Sequence, residues 1–306
     1  MNAMTPIRTP LIEAKLPQDR TLWIKNEGAQ PSGSFKIRGP SHFLSVNEIP
    51  SGIVTTASTG NHAIGLSMAA HAHGIKAIIM VPESTPAKKL EAIRRAGGEV
   101  QLINGDYEMA LACATTFAEE SGAQLVPSYD HPDIIAGNRA VFLEIQQEID
   151  TTGYTVFAPI GGGGLFSGAV TAFETDGNSV VGVELSPYER VQRIVWDDAG
   201  DLPPMSPPPP STEGVAIRTL GKLPAKIMRN AGRASFTSVS VAELENTCCW
   251  LWHELKIRAE LGGCTAVAAA LRDTPAGHVA IAVVSGSNID PALHAQIVSA
   301  WDAHQN

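Results

Sequence analysis

Short runs of consecutive apolar residues alternate along the chain with longer stretches in which apolar and polar positions recur at helical spacing. GIVTTA (52–57), KAIIMVP (76–82), EVQLIN (99–104), TVFAPI (155–160), VVGVEL (180–185) and HVAIAVVSG (278–286) are rich in valine and isoleucine. Runs of this kind predict strands buried on both faces, the habit of parallel sheets. NHAIGLSMAAHAHG (61–74), PAKKLEAIRRAGG (86–98) and DYEMALACATTFAEESG (106–122) predict helices, each closing on glycine, the common helix stop. The βαβα rhythm predicts an α/β fold with open, mostly parallel sheets and helices on both faces. No internal repeat interrupts it.

DLPPMSPPPPS (201–211) is the one low-complexity segment. A proline run joins neither a helix nor a central strand, so a surface connection is expected. No other segment has the composition of a linker, and a second lobe is therefore expected as an insertion. The chain has 306 residues, 44% of them hydrophobic, enough for a sizeable core in two lobes. A net charge of −9 without any basic stripe excludes nucleic acid and anionic membrane surfaces as partners. No apolar run reaches the roughly 18 residues that span a bilayer, and MNAMTPIRTP lacks a secretory pattern, so a cytoplasmic protein is expected. Cys113, Cys248, Cys249 and Cys264 lack metal or redox spacing and read as reduced core thiols. His62, His71 and His73 lie around one helix without acidic or cysteine partners, and no metal site is expected. Trp250 and Trp252 in CCWLWHEL read as buried helix packing, and LEIQQEID (143–150) as a solvated helix face.

Chemistry concentrates behind four turns. In QPSGSFKIRG (30–39), Lys36 sits between Phe35 and Ile37; it either decorates a helix start or is an amine kept from water for reaction. ASTGNH (57–62) follows a predicted strand and opens a helix, which makes it an ordinary cap or an anion site. PIGGGGLFSG (159–168) holds four consecutive glycines, an entropic cost that a nest of bare amides around a phosphate would justify. It is no P-loop, because no Gly-Lys-Ser/Thr follows, and it lacks dinucleotide GxGxxG spacing; a phosphate monoester suits it better than a triphosphate. VVSGSNID (283–290) places Ser285 at a strand end.

SGSFKIRG, ASTGNH, GGGGL and SGSN, in this order, resemble the pyridoxal-phosphate enzymes of the tryptophan-synthase-β fold type, in particular the serine/threonine dehydratase and serine racemase branch. STEGVAI (211–217) and AELGGCTAVAAAL (259–271) extend the resemblance over nearly the whole chain. It implies a two-lobed enzyme, with a small domain of residues 41–138 inserted into a large one of 1–40 and 139–306. The cofactor is expected between them, the small lobe closing on substrate. Lys36 is implied as Schiff-base lysine and then as base at the substrate Cα, with Phe35 beside it. Gly161, Gly162, Gly163, Gly164 and Leu165 are implied to hold the cofactor phosphate. Asn61 is implied to bond the phenolic oxygen and Ser285 to face the pyridine nitrogen. Ser58, Thr59, Gly60, Asn61 and His62 would take the substrate. Glu260 would lie nearby, although Leu261 replaces the proline that follows it in the family. The implied reaction is β-elimination from a β-hydroxy amino acid such as threonine or serine, by a homodimer, giving a 2-oxo acid and ammonia.

Two departures shape that expectation. Racemases of the branch carry a second serine where this chain has Thr59, so a lyase is favoured over a racemase. ASTGNH also resembles dehydratases of hydroxyectoine breakdown, leaving a modified hydroxy amino acid open as substrate. Many members bind a divalent cation through a glutamate and an aspartate; here VELSPYER supplies Glu184 but places Arg190 where the aspartate would be. Arg190 either pairs with Glu184 as a fixed cation or is a solvated helix residue. The chain ends soon after SGSN, so no C-terminal amino-acid-sensing domain and no feedback through one are expected.

Overall fold

A computed structural model describes residues 4–149, 152–173, 178–203 and 205–305. Asp150 and Pro204, within segments discussed above, lie outside the described residues. In chain order the elements begin with β1 (Leu11–Leu16), β2 (Arg20–Asn26), α1 (Arg38–Val46), β3 (Ile53–Ala57), α2 (Asn61–Ala72) and β4 (Lys76–Pro82). There follow α3 (Ala87–Arg95), β5 (Glu99–Ile103), α4 (Tyr107–Ser121), β6 (Gln124–Leu125), α5 (Pro132–Glu148), β7 (Thr155–Pro159) and α6 (Gly164–Phe173). The last are β8 (Ser179–Leu185), α7 (Lys222–Asn230), β9 (Ala234–Val239), α8 (Val241–Leu255), α9 (Thr265–Asp273), β10 (Val279–Val284) and α10 (Pro291–Gln305).

The chain divides into two compact units, residues 1–7 with 30–138 and residues 8–29 with 139–306. The smaller unit takes in residues 30–40, which the family resemblance groups with the larger. Backbone packing explains the difference. A Cβ on Gly65 of α2 would stand 2.6 Å from the Lys36 carbonyl oxygen, and one on Gly137 of α5 would stand 2.5 Å from that of Arg38. Two glycines thus let helices of the smaller unit lie directly on the Lys36 segment.

In this unit β5, β4, β3 and β6 form a wholly parallel sheet in that order. Val54, Ile79 and Val81 of the sheet pack with Ala63, Leu66 and Ile93 of the helices in one buried cluster. Gly122, which stops α4, takes a φ of 72°, open to glycine at little cost. The larger unit has six strands in the order β1, β2, β10, β7, β8 and β9, parallel except for the β1–β2 pair. Its core joins β2, β7, β8 and β10 to α8 and the alanine-rich α9, whose residues 265–270 are all buried. Parallel pairing aligns the carboxyl ends of β10, β7 and β8 along one edge. Ser285, Gly161 and Glu184 stand at or next to those ends.

Other expectations meet mixed outcomes. Cys248, Cys249 and Cys264 are buried free thiols, but Cys113 is only half-buried. Trp252 is not buried: it is 37% exposed and meets the edge of His294 with ring centroids 5.2 Å apart. Nor is 143–148 simply solvated, because Glu144 lies 2.8 Å from the amine of buried Lys25. Among the described residues, no group of three or more His, Cys, Asp or Glu side chains could hold a metal ion, and no helix is long and apolar enough to cross a membrane.

Candidate active site

The smaller unit assembles the lysine and the ASTGNH turn. Lys36 lies in a single 3-10 turn, Phe35–Ile37, immediately before α1, and Ile37 is wholly buried. Its Nζ donates to the Ser128 carbonyl at 2.8 Å and lies 5.2 Å and 5.9 Å from the ring centroids of Phe35 and Tyr129. Among the described residues no carboxylate pairs with it. The side chain meets some solvent, yet enough protein packs around the amine for desolvation to lower its pKa to about 8. Lys25 provides the contrast. It is more fully removed from water, and it contacts Glu144 at 2.8 Å, Glu148 at 3.6 Å and the Thr9 carbonyl at 2.8 Å. One buried lysine is neutralised by partners; the other is left able to lose its proton.

ASTGNH runs from the end of β3 into α2. Gly60 occupies the cap position and no side chain caps the helix, so the ordinary cap role of Ser58 or Thr59 is not realised. The Ser58 hydroxyl instead accepts from the Gly60 amide at 3.3 Å. Ser58, Thr59, Gly60 and Asn61 are half-buried, and nothing lies within 4 Å of where a Gly60 Cβ would be. A helix start with uncapped amides and adjacent space suits an anion. His62 is buried, and its Nε2 lies 3.1 Å from the Val126 carbonyl. That contact requires the proton on Nε2. Burial first and Lys36 second lower its pKa to about 3, so the ring is neutral and its unpartnered Nδ1 is an acceptor.

The larger unit assembles the glycine loop. A Cβ on Gly161 would overlap the Gly214 carbonyl oxygen, and one on Gly163 would stand 2.6 Å from Pro224 Cβ. Gly163 also has a φ of 95°, in the left-handed region that side chains resist. Gly164 and Leu165 open α6, with Gly162, Gly163, Gly164 and Leu165 all buried. Bare amides converging on a helix start fit a phosphate monoester, and a side chain would spoil them. Ser285, 6% exposed, closes β10, and its amide donates to the Gly263 carbonyl at 3.3 Å. Glu260 begins the adjacent turn and its amide donates to the Gly286 carbonyl at 3.1 Å. Backbone bonding therefore holds Glu260 and Ser285 together in spite of Leu261.

Arg190 and Glu184 are both buried, with Nη2 3.3 Å from Oε1. Burial raises the Glu184 pKa, opposed by Arg190 and by the backbone amides of Arg190 and Val191. A solvated Arg190 is thereby excluded. Residues without a motif to announce them include Gly65, Ser128, Tyr129 and Pro224, whereas Gly214 lies within STEGVAI. Only Gly65 carried a local signal, as an isolated glycine inside a helix pattern.

The amine, the uncapped helix start and the glycine cradle have the chemistry that a pyridoxal phosphate requires. A family profile described as "Pyridoxal-phosphate dependent enzyme" matches residues 3–286, and the chain belongs to that family of pyridoxal-phosphate-dependent enzymes. An L-threonine ammonia-lyase of Thermotoga maritima is 31% identical over 283 residues, covering 91% of this chain and 70% of that protein. A chloroplastic biosynthetic threonine dehydratase of Solanum lycopersicum is 30% identical over 229 residues, 70% of this chain. The chain spans only 36% of the length of that plant relative. The solved processed form of threonine deaminase isoform 2 from Solanum lycopersicum superposes with a TM-score of 0.89 and 25% identity, covering 96% of this chain and 83% of that one.

Two outcomes follow from this geometry. Gly65→Ala should destabilise the protein by about 1–3 kcal/mol through backbone overlap at Lys36, measured by urea unfolding. For Lys36, the folded pKa of about 8 lies below its ordinary 10.5, so the unfolded chain binds more protons between those values and stability rises with pH there. Apo Lys36→Met should therefore exceed apo wild type in stability at pH 7, by on the order of 2 kcal/mol, and lose that advantage above about pH 10. Parallel stability curves across this range would contradict the lowered pKa.

Proposed function

We propose that this protein is an ammonia-lyase that dehydrates a β-hydroxy amino acid, such as threonine or serine, to a 2-oxo acid and ammonia. The observation that carries the proposal is the unpaired, desolvated Lys36 amine, with a pKa of about 8, beside a histidine that stays neutral. Such an amine is both a nucleophile toward an aldehyde and a base near physiological pH. The names of the relatives agree with this substrate class.

Each residue has a role on this reading. Lys36 anchors the cofactor through Nζ, with Phe35 flanking it, while Gly161–Gly164 and the Leu165 amide hold its phosphate. Asn61 and the Ser285 hydroxyl would hold its ring through hydrogen bonds. Ser285 can share a hydrogen bond there but cannot supply the full proton that a carboxylate partner would maintain. Ser58, Thr59, Gly60 and the first amides of α2 receive the substrate carboxylate, and Glu260 lies toward the substrate. Bound pyridoxal phosphate supplies an electron-withdrawing ring that acidifies the substrate Cα–H. Lys36 Nζ would be placed to take that proton; the Cα–H electron pair would form a Cα=Cβ double bond as the β-hydroxyl takes up a proton and leaves as water, and hydrolysis of the resulting enamine would give the 2-oxo acid and ammonia. Neutral His62 places no second positive charge near Nζ, which keeps the amine basic enough to accept the proton without holding it permanently. We further propose that the enzyme acts in the cytoplasm as a homodimer, as the family resemblance suggests.

The test is a screen of β-hydroxy amino acids, including modified ones, for 2-oxo-acid and ammonia release, with chiral analysis of the remaining amino acid. Stoichiometric oxo acid and ammonia are expected from at least one substrate. D-amino acid as the main product would replace the lyase with a racemase. Lys36→Ala should lower turnover by roughly 10³-fold or more, the scale of losing a nucleophile or general base; full turnover would overturn the mechanism. Chelation of divalent metal should leave activity unchanged, because Arg190 supplies the cation beside Glu184; a large loss restored by magnesium would contradict that.

A further inference from the structure

Arg190 is among the largest fully buried side chains of the protein, and it does more than face Glu184. Nη2 donates to the Ile160 carbonyl at 2.7 Å, on the residue preceding the tetraglycine. Nη1 donates to the Val215 carbonyl at 2.9 Å and also to that of Ile217. The guanidinium thus joins the entry to the glycine cradle to the loop 211–217. That loop supplies the Gly214 carbonyl against which Gly161 lies with no room for a Cβ. At its other end, the Ser211 carbonyl accepts from the Gly262 amide at 2.7 Å. Gly262 belongs to the turn whose next residue, Gly263, accepts from the Ser285 amide. One rigid cation is therefore bonded to the segment that runs past both the cradle and Ser285. A guanidinium suits the task because its fixed donors reach three carbonyls and a carboxylate together, which an ammonium on a flexible stem cannot do.

We infer that Arg190 is a positioning residue that sets the phosphate cradle by holding Ile160 and the 211–217 loop in register. Wholly buried, it acts through these carbonyls. The inference rests on the proposed role of Gly161–Gly164 in phosphate binding. It assigns Arg190 a selective effect on the phosphate part of the ligand.

The experiment compares the binding of pyridoxal phosphate with that of pyridoxal, the same ring without phosphate, by cofactor absorbance and tryptophan fluorescence. The proteins are wild type, R190K, R190M and the double variant E184Q/R190M, in which no buried carboxylate is stranded. The folded Arg190 variants should bind pyridoxal phosphate roughly tenfold or more weakly, the scale of losing charge-assisted hydrogen bonds. Their pyridoxal affinity should stay within about threefold of wild type, with R190K between wild type and R190M. Unchanged pyridoxal-phosphate affinity, or equal losses for both ligands, would overturn the inference. Failure of wild type itself to bind pyridoxal phosphate would instead defeat the phosphate assignment. Should none of the variants fold, hydrogen exchange on wild type decides: pyridoxal phosphate should protect segments 160–165 and 212–217 together, and protection confined to 160–165 would sink the coupling.

Discussion

An amine that is to act as a nucleophile and base near neutral pH has to be kept from water without being given a counter-ion. On the proposed reading, that constraint organises the smaller unit. Lys36 is partnered by a carbonyl and flanked by two aromatic rings, and the nearby imidazole is itself held neutral by burial. Its main chain is pinned because α2 approaches at Gly65 with no side chain between. The arrangement sacrifices stability, since burying an unpaired cation is unfavourable. Lys25 shows what the fold does with a lysine that serves packing: it surrounds the amine with two carboxylates and a carbonyl.

On the proposed reading, the larger unit meets a different demand, holding a multiply charged anion with few charges of its own. Bare amides at a helix start do this when no side chain crowds them, and Gly161 and Gly163 leave no space for one. A loop so poor in side chains has little to fix its shape. Its order comes from outside, through carbonyls bonded to a buried guanidinium and through Pro224 and Met228 packed against Gly163.

Much of this was legible in the sequence, and the physical reason differs from part to part. β3, β4, β7, β8 and β10 were visible because burial on both faces demands uninterrupted apolar runs; β5, read as such a strand, is instead an edge strand with Glu99, Gln101 and Leu102 exposed, and β9, ASFTSV, was invisible because it lies at a sheet edge and mixes polar residues. Lys36, the tetraglycine and ASTGNH stood out through composition, each being costly unless used. Ser128 and the carbonyls of Ile160, Val215 and Ile217 could not stand out, because they contribute backbone oxygen, which every residue has. The grouping of residues 30–40 with the smaller unit depended on close approaches at Gly65 and Gly137. Trp252 was misjudged because a tryptophan on an amphipathic helix can keep one edge in solvent.

ASTGNH grows from the end of β3, whereas the glycine loop grows from the end of β7, in a separate sheet with a separate core. On the proposed reading, recognition of the variable part of the ligand and retention of its constant part would therefore be encoded in non-overlapping stretches of chain. Randomising residues 58–60 would then sample new specificities while leaving the glycine loop's own supports untouched. Gene duplication could exploit the same separation, letting one half of the molecule drift toward other amino acids while the other half is conserved by its fixed ligand.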